Sequence, residues 1–345
     1  MKILLVGDIH VGVKIDSTIF LNTFERFFLD FLTKIVKEEK IDEIYILGDL
    51  FDNRNNISVK TSNLVYDVFS KFLSLIPNLK INIILGNHDI YYKNTRKVNS
   101  IKNLELIGNI RVVSNLYRRT LEDGRIIIEV PWLINQGEID EFSRQKGDIC
   151  LGHLEINGFE MIPGFIERKG ISDTLLRNNF LRVFSGHFHL RKEMNGITYV
   201  GNPYPTKWTD SDNTKGVYIL DTKNLNSRFI EFEDSPKYKK IYLSMIKKKL
   251  QNLKEEVGGN FVSLILDDDI SPKALDKLSD VIARIKPLSF SIVDKEKVFV
   301  DDNSIDLECL SPVEYLIEYI NANIKDNKTE ILELVNSLYN EIKEY

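Results

Sequence analysis

Short apolar runs alternate with longer amphipathic stretches through the first third of the chain. Residues 2–7, 43–47 and 81–85 are rich in leucine and β-branched residues, which predicts buried strands. Between them lie two stretches with helical spacing. Residues 17–39 place Phe24, Phe27, Phe28, Phe31 and Ile35 on one face, and residues 59–76 do the same with Val65, Val68, Phe69, Phe72 and Ile76. Such alternation implies a parallel sheet with helices packed on it, and loops at the carboxyl ends of its strands are where a site is expected.

After Asn115 the texture changes. Arg119–Leu121 and Arg125–Val130 flank Glu122-Asp123-Gly124 and read as a hairpin with Asp-Gly at the turn. Strands near 148–151, 181–184, 197–200 and 216–220 follow with few helices between them, which predicts a second, more antiparallel sheet stacked on the first. Near residue 235 a small α/β unit begins, with strands at 239–244, 261–266 and 288–293 and a helix at 272–286. Residues 311–345 read as two helices, opened by the capping box Ser311-Pro312-Val313-Glu314. The expected division is 1–234, 235–300 and 301–345.

At 345 residues, two or three domains are expected; 43% hydrophobic and 28% charged residues fit a soluble globular chain. No apolar stretch reaches the ~18 residues of a membrane span. The opening apolar run is too short for a signal peptide and leads straight into Asp8 and His10, so it reads as the first buried strand, and the cysteine usage makes a reducing cytoplasm the expected location. Two cysteines, Cys150 and Cys309, without CxxC spacing argue against a disulfide framework or a thiolate zinc site. A net charge of −5 creates no global attraction to nucleic acid, so any DNA contact must be local.

The chemistry is concentrated in five histidines, all within three residues after a glycine and each following an apolar run. The segments are Gly7-Asp8-Ile9-His10, Gly86-Asn87-His88-Asp89, Gly152-His153 and Gly186-His187-Phe188-His189, with Gly48-Asp49 beside them. Glycine lets the chain turn sharply on leaving a strand. Any one of these segments alone is weak; together they describe imidazoles, carboxylates and an amide gathered for a pair of divalent metal ions.

Order and residue types resemble the calcineurin-like metallophosphoesterases, whose blocks are D-x-H, GD-x-x-D, GNHD, GH and GH-x-H. The matching residues are Asp8/His10, Asp49/Asp52, Asn87/His88/Asp89, His153 and His187/His189, and the resemblance spans residues 1 to about 221. It implies a four-layer α/β sandwich of two stacked mixed sheets flanked by helices. It also implies Asp8, His10 and His189 on one metal, Asn87, His153 and His187 on the other, and Asp49 bridging. Mixed imidazole and carboxylate ligation suits Mn2+, with Mg2+ as an alternative. His88 is implied to act beside the phosphate as charge stabiliser or acid, oriented by Asp89.

Within that superfamily the chain resembles the SbcD-type double-strand-break repair nucleases, and most of all their T-even phage branch. The shared features are Gly48-Asp49-Leu50-Phe51-Asp52, a Gly201-Asn202-Pro203 element with asparagine in place of Ser/Thr, and Tyr91-Tyr92-Lys93-Asn94 after the GNHD block. The run 152–159 and Glu318-Tyr319-Ile320-Asn321-Ala322 extend the match along nearly the whole chain. The resemblance implies an exonuclease on double-stranded ends and an endonuclease on single strands. It further implies a small α/β cap that helps hold DNA, a homodimer, and a terminal helical pair docking on an ABC-type, SMC-like ATPase. Where Asp52 stands, archaeal and eukaryotic relatives carry histidine, so that histidine's role does not transfer.

Tyr91, Tyr92, Lys93, Arg96 and Lys97 combine aromatic faces with cationic heads beside His88 and are candidate DNA contacts. Lys237, Lys239 and Lys240 form a second basic cluster, while Lys247–Lys249 read as a solvated face. Trp132 and Trp208 read as packing residues, with Trp208 in a loop that borders the cleft as an alternative. In the terminal helices Val313, Leu316, Ile317 and Ile320 line one face and Leu334 and Leu338 another. The pattern suits helices packed on each other or on a partner; the resemblance favours the partner. The alternatives to a nuclease are a stand-alone phosphatase or nucleotide phosphodiesterase with the same cage, and a non-catalytic scaffold of the same fold.

Overall fold

The structure is a computed structural model that describes residues 1–162, 165–246 and 253–294. The chain divides into two compact units, Met1–Tyr238 and Lys239–Tyr345. The helices expected over 311–345 and the lysines at 247–249 lie outside the described residues.

The first unit opens with β1 (Lys2–Val6), then α1 (Thr18–Arg26), a π-helical segment at Phe27–Leu32 and α2 (Thr33–Glu39). β2 (Glu43–Ile46), α3 (Val59–Leu75), β3 (Lys80–Ile84), the hairpin β4 (Ile90–Tyr92) and β5 (Thr95–Asn99), and β6 (Ile110–Val113) follow. The sequence reads 17–39 as one α-helix; the extra residue per turn in the π segment differs from that and turns both Phe27 and Phe28 inward. Phe28 then packs on Phe24, Phe69 and Phe72, at ring separations of 5.1, 4.9 and 5.4 Å. α3 starts where the Ser58 hydroxyl accepts the Thr61 N–H at 3.1 Å. β1, β2, β3 and β6 pair in parallel, as the strand–helix alternation requires.

The second half comprises β7 (Tyr117–Thr120), β8 (Ile126–Val130), α4 (Gln136–Ser143), β9 (Ile149–His153), β10 (Glu160–Ile162), β11 (Phe165–Ile166) and α5 (Asp173–Asn179). It continues with β12 (Arg182–Gly186), β13 (Lys192–Met194), β14 (Ile197–Tyr199), β15 (Gly216–Asp221) and β16 (Asn226–Glu231). β15 and β16 return to the first sheet, antiparallel to β1 and to each other. The second sheet runs β13-β14-β12-β9-β8-β7. Its centre is parallel, from β8 through β9 and β12 to β14, with antiparallel pairs only at the two edges. That corrects the expectation of a more antiparallel sheet. α4 and α5 are the crossovers that make β8, β9 and β12 parallel, and each buries a single large apolar side chain, Phe142 and Leu176, too little to mark it in the sequence.

Ile3, Leu5, Tyr45, Leu47 and Ile84 of the first sheet meet Ile127, Ile149, Leu151 and Phe184 of the second in one core. Ile128, Val130, Cys150 and Val183 face the other way, onto Phe142, Leu176 and Phe180. Both sheets are therefore covered on both sides, which is why their central strands are apolar throughout. The fold is a mixed α/β sandwich of stacked sheets flanked by helices. One polar tie crosses the stack: Tyr45 Oη donates to Glu129 at 2.6 Å, and Arg119 of β7 grips Glu43 of β2 through two bonds of 2.6 Å.

In the second unit β17 (Tyr238–Tyr242) leads into α6 (Leu243–Ile246), followed by α7 (Leu253–Val257), β18 (Phe261–Leu266), α8 (Pro272–Ile285) and β19 (Ser289–Asp294). Val262, Leu264, Val257 and Ile282 form its core, and the parallel pair β18/β19 is joined by α8. Among the described residues, no helix is long and apolar enough to cross a membrane.

Candidate metal centre

The loops leaving β1, β2, β3, β9 and β12 at their carboxyl ends converge, so residues from both sheets meet in one hollow. Asn87 Oδ1 lies 2.9 Å from His153 Nε2 and 3.1 Å from His187 Nδ1. Asp49 Oδ2 is 3.3 Å from His153 Nε2, and Asp49, His153 and His187 bring a ligand atom each within 4.8 Å of one another. On the other side His10 Nε2 and His189 Nε2 face each other at 2.9 Å. Asp8 spans toward the first group, both of its oxygens accepting the His187 N–H at 3.0 Å. The two groups adjoin through His88, whose ring lies 5.0 Å from that of His10 and whose N–H donates to Asp49 Oδ1 at 2.8 Å; among the described residues, Asp49, His153 and His187 are the set whose donor atoms already stand within 4.8 Å of one another.

Two glycines make this approach possible. Gly48 has φ +99°, and a Cβ there would overlap the His153 ring; a Cβ on Gly86 would overlap the Asp49 carboxylate. The backbone is strained at the ligands themselves, with positive φ at His10 (50°), Asp49 (51°) and His187 (89°). Gly48→Ala is therefore expected to weaken metal binding by ~10–100-fold through a displaced His153, read by Mn2+ titration. A variant binding Mn2+ as the parent does would show that the loop yields without cost.

The electrostatics suit cations. Burial lowers His10 and His187 to about 3 and His189 well below the usual imidazole range, so these rings are neutral lone-pair donors. Burial also lowers His153, but the charge and hydrogen bond of Asp49, with Asp8 beside it, raise it to about 9. His153 Nδ1 donates to the Leu47 carbonyl at 2.8 Å, which directs Nε2 into the hollow. Burial opposes ionisation of Asp49, yet His153, His88 and His10 hold it well below the usual carboxylate range. Asp8 is pushed up to about 7 by burial, with the charge of Asp49 adding. A buried carboxylate this penalised calls for compensating positive charge. His189 Nδ1 is also buried without a hydrogen-bond partner. The donor set, imidazole nitrogen with carboxylate and amide oxygen, fits divalent metal.

His88 stands beside the cage, its ring 5.0 Å from that of His10 and edge-on. Its Nδ1 is 2.6 Å from the Asp52 carbonyl oxygen. That bond, not Asp89, orients the imidazole, which corrects the expected role of Asp89. The Asp89 carboxylate instead accepts N–H groups from Gly86 and Asp49 at 2.9 Å, Leu50 at 3.0 Å and Phe51 at 3.5 Å. Burial, with the charge of Asp49, pushes it up to about 6.

Tyr91 and Tyr92 are 48% and 50% exposed on the β4–β5 hairpin, and Lys93 and Lys97 are exposed with them. Arg96 is not available: its guanidinium binds both oxygens of Glu138 and the Trp132 carbonyl at 2.7 Å, and Nε donates to the Ser114 carbonyl at 2.7 Å. That corrects its reading as a DNA contact. Of the second basic cluster, Lys237 is paired with Glu231 and Lys239 with Glu256, both at 3.0 Å. Trp132 does more than fill space. Its ring lies 4.8 Å from that of His187 and 5.9 Å from His153, walling the hollow. The signal was its place just past the end of β8, whose neighbour β9 ends in a ligand. Trp208 packs edge-on against Tyr238 at 4.9 Å.

Comparison with known proteins bears on this geometry. The chain is 28% identical to exonuclease subunit 1 of Enterobacteria phage T4 over 351 aligned positions, covering 98% of each protein. It is 32% identical to the SbcD component of nuclease SbcCD from Rhodobacter capsulatus over 89 residues, 26% of this chain and 22% of that one. Among solved structures, the E. coli phosphoesterase Yfce aligns with 68% of this chain and 95% of its own at 13% identity, with a TM-score of 0.34, too low to bear on function. The family model of the calcineurin-like phosphoesterases matches residues 1–191, a span that contains every loop of the hollow from Asp8 to His189. The chain belongs to the calcineurin-like phosphoesterase family.

Proposed function

We propose that this chain is a DNA nuclease that works with two divalent cations, Mn2+ in preference to Mg2+. The observation that carries the reading is the convergence of seven metal-type donors and one further imidazole, in a chain that aligns end to end with a phage exonuclease subunit. Asp8, His10 and His189 would hold one cation and Asn87, His153 and His187 the other, with Asp49 shared. When bound, such a pair neutralises phosphate charge and acidifies the attacking water.

The protein's own groups do the rest. The Asp52 carbonyl holds His88 Nδ1, which leaves Nε2 to stabilise charge on the phosphoryl group or to hand a proton to the leaving oxygen. Trp132 fixes the His187 ring. Tyr91 and Tyr92 offer faces on which bases stack, and Lys93 and Lys97 offer charge to backbone phosphates.

Subunit architecture follows from the same likeness. Residues 235–300 would cap the DNA and 301–345 would dock on an ABC-type, SMC-like ATPase through Val313, Leu316, Ile317, Ile320, Leu334 and Leu338. The chain would act as a homodimer in the cytoplasm, cutting double-stranded ends exonucleolytically and single strands endonucleolytically. The test is end-labelled duplex in Mn2+, with and without the ATPase partner and EDTA. Cleavage that needs Mn2+ and vanishes with chelator is expected. Rapid turnover of small phosphodiesters with inert DNA would instead favour a stand-alone phosphodiesterase. Because the cations bind only the folded cage, chelation is also expected to lower stability, by ~2.7 kcal/mol for each cation where Mn2+ stands at a hundred times its Kd. Equal thermal melts with Mn2+ and with EDTA would remove the metal from the account.

A further inference from the structure

Next to the loop that carries His189 lies a pair of buried charges that offers no ligand. Lys215, the residue before β15, is 3% exposed, and Asp210 is 1% exposed. Lys215 Nζ donates to Asp210 Oδ1 at 2.9 Å and to the carbonyl oxygen of His189 at 2.7 Å. The other Asp210 oxygen gathers the loop, accepting the Thr206 N–H at 3.0 Å, the Lys207 N–H at 3.3 Å and Asn202 Nδ2 at 3.3 Å. Asn202 N also reaches the His189 carbonyl, at 3.4 Å.

The same segment touches the chain on both sides of the His10–His189 pair. Tyr204 Oη donates to the carbonyl of Ile9, the residue before His10, at 3.1 Å. Asn213 closes a reciprocal pair with the Arg191 main chain, two residues past His189, at 2.8 and 3.1 Å. Gly201 sits so close that a Cβ there would crowd the His189 carbonyl at 2.7 Å. Residues 201–215 therefore grip the main chain that presents both imidazoles, and Lys215 brings a charged donor to the carbonyl of His189 itself.

A buried ion pair is a poor device for stability alone, since an apolar pair of similar volume serves as well. An ammonium one carbonyl away from a cation-binding residue is worse than neutral, because it repels the cation. Asp210 cancels that charge. We infer that Lys215 and Asp210 are positioning residues for the cation held by His10 and His189: Lys215 fixes the His189 main chain, and Asp210 neutralises the ammonium that does so. The inference rests on the two-cation reading above and goes beyond it by separating the two cations. The second, held by Asn87, His153 and His187, lies outside the grip and serves as an internal control.

The experiment is Mn2+ binding to the full chain by equilibrium dialysis and electron paramagnetic resonance, with the melting of the metal-free protein followed alongside. The parent is expected to bind two ions and give the exchange-coupled signal of a pair. Asp210→Asn should weaken one ion by at least ~10-fold, replacing that signal by the spectrum of an isolated ion, while the other binds as before. Lys215→Met should cost less, because it removes the repelling charge along with the grip. Asp210→Leu combined with Lys215→Met should bind the weakened ion better than Asp210→Asn does. The inference is overturned if Asp210→Asn binds both ions normally, if it weakens both equally, or if the double variant binds worse than Asp210→Asn. A parent that binds a single ion overturns the two-cation reading itself, and this inference with it, which the variants alone cannot do.

Discussion

His88→Ala is expected to slow DNA cleavage by ~10²–10⁴-fold while leaving two Mn2+ ions bound. The ring belongs to neither group of converging donors. Its Nδ1 is committed to the Asp52 carbonyl at 2.6 Å, and the bond that ties residue 88 to the cage runs from its main-chain N–H to Asp49 Oδ1 at 2.8 Å. Alanine keeps that N–H, so Asp49 stays in place. What is lost is the ring, with its Nε2 left for substrate and its bond to the Asp52 carbonyl, and neither belongs to the cage. Single-turnover cleavage of labelled duplex and Mn2+ stoichiometry are the paired measurements. A diester with a p-nitrophenolate leaving group separates the two duties of the ring, since that leaving group needs no proton. Near-parent turnover of it by His88→Ala would identify His88 as an acid, and an equal loss would identify it as a stabiliser of phosphoryl charge. Loss of either ion from this variant would make His88 part of the cage and sink the assignment.

Much of this site is legible in the sequence because its geometry is made by local rules. A strand buried on both faces is a continuous apolar run, and a ligand that must turn back over the strand end needs a glycine before it. Gly48 and Gly86 are constrained by close approach to His153 and Asp49, and both precede a ligand directly. The parallel centre of the second sheet was hidden for the opposite reason. Its crossovers α4 and α5 span 8 and 7 residues, too short to show a helical period, so the strands read as consecutive neighbours.

Pairings between residues distant in sequence were hidden too. Arg96 looks like a DNA contact from its place after His88, but its donors are taken by Ser114, Trp132 and Glu138, 18 to 42 residues away. Nothing near Arg96 in the chain announces them. Lys215 and Asp210 are equally ordinary as letters, and only burial turns them into a pair with a function to explain.

Asp89 is where sequence adjacency misleads most, and its replacement separates the two readings. Asp89→Asn is expected to weaken both Mn2+ ions by at least ~10-fold and to destabilise the protein by about 3 kcal/mol. The carboxylate collects N–H groups from two loops: Gly86, in the turn that carries Asn87, and Asp49, Leu50 and Phe51 in the turn after β2. Asparagine has the same shape but one acceptor, so its amide N–H2 would face two backbone donors that the carboxylate satisfies. Two buried N–H groups left unmade cost about 1–3 kcal/mol each, and asparagine relieves part of this by shedding a charge that burial and Asp49 disfavour. The balance is a loss. The loops then part, so that Asn87 and Asp49 no longer both reach His153, and cleavage fails because the cage fails. Urea unfolding in EDTA reads the first consequence and Mn2+ titration the second. Parent-like stability and two tightly bound ions in an inactive Asp89→Asn protein would return Asp89 to the chemistry beside His88, and the loop-clamp role with it would be wrong.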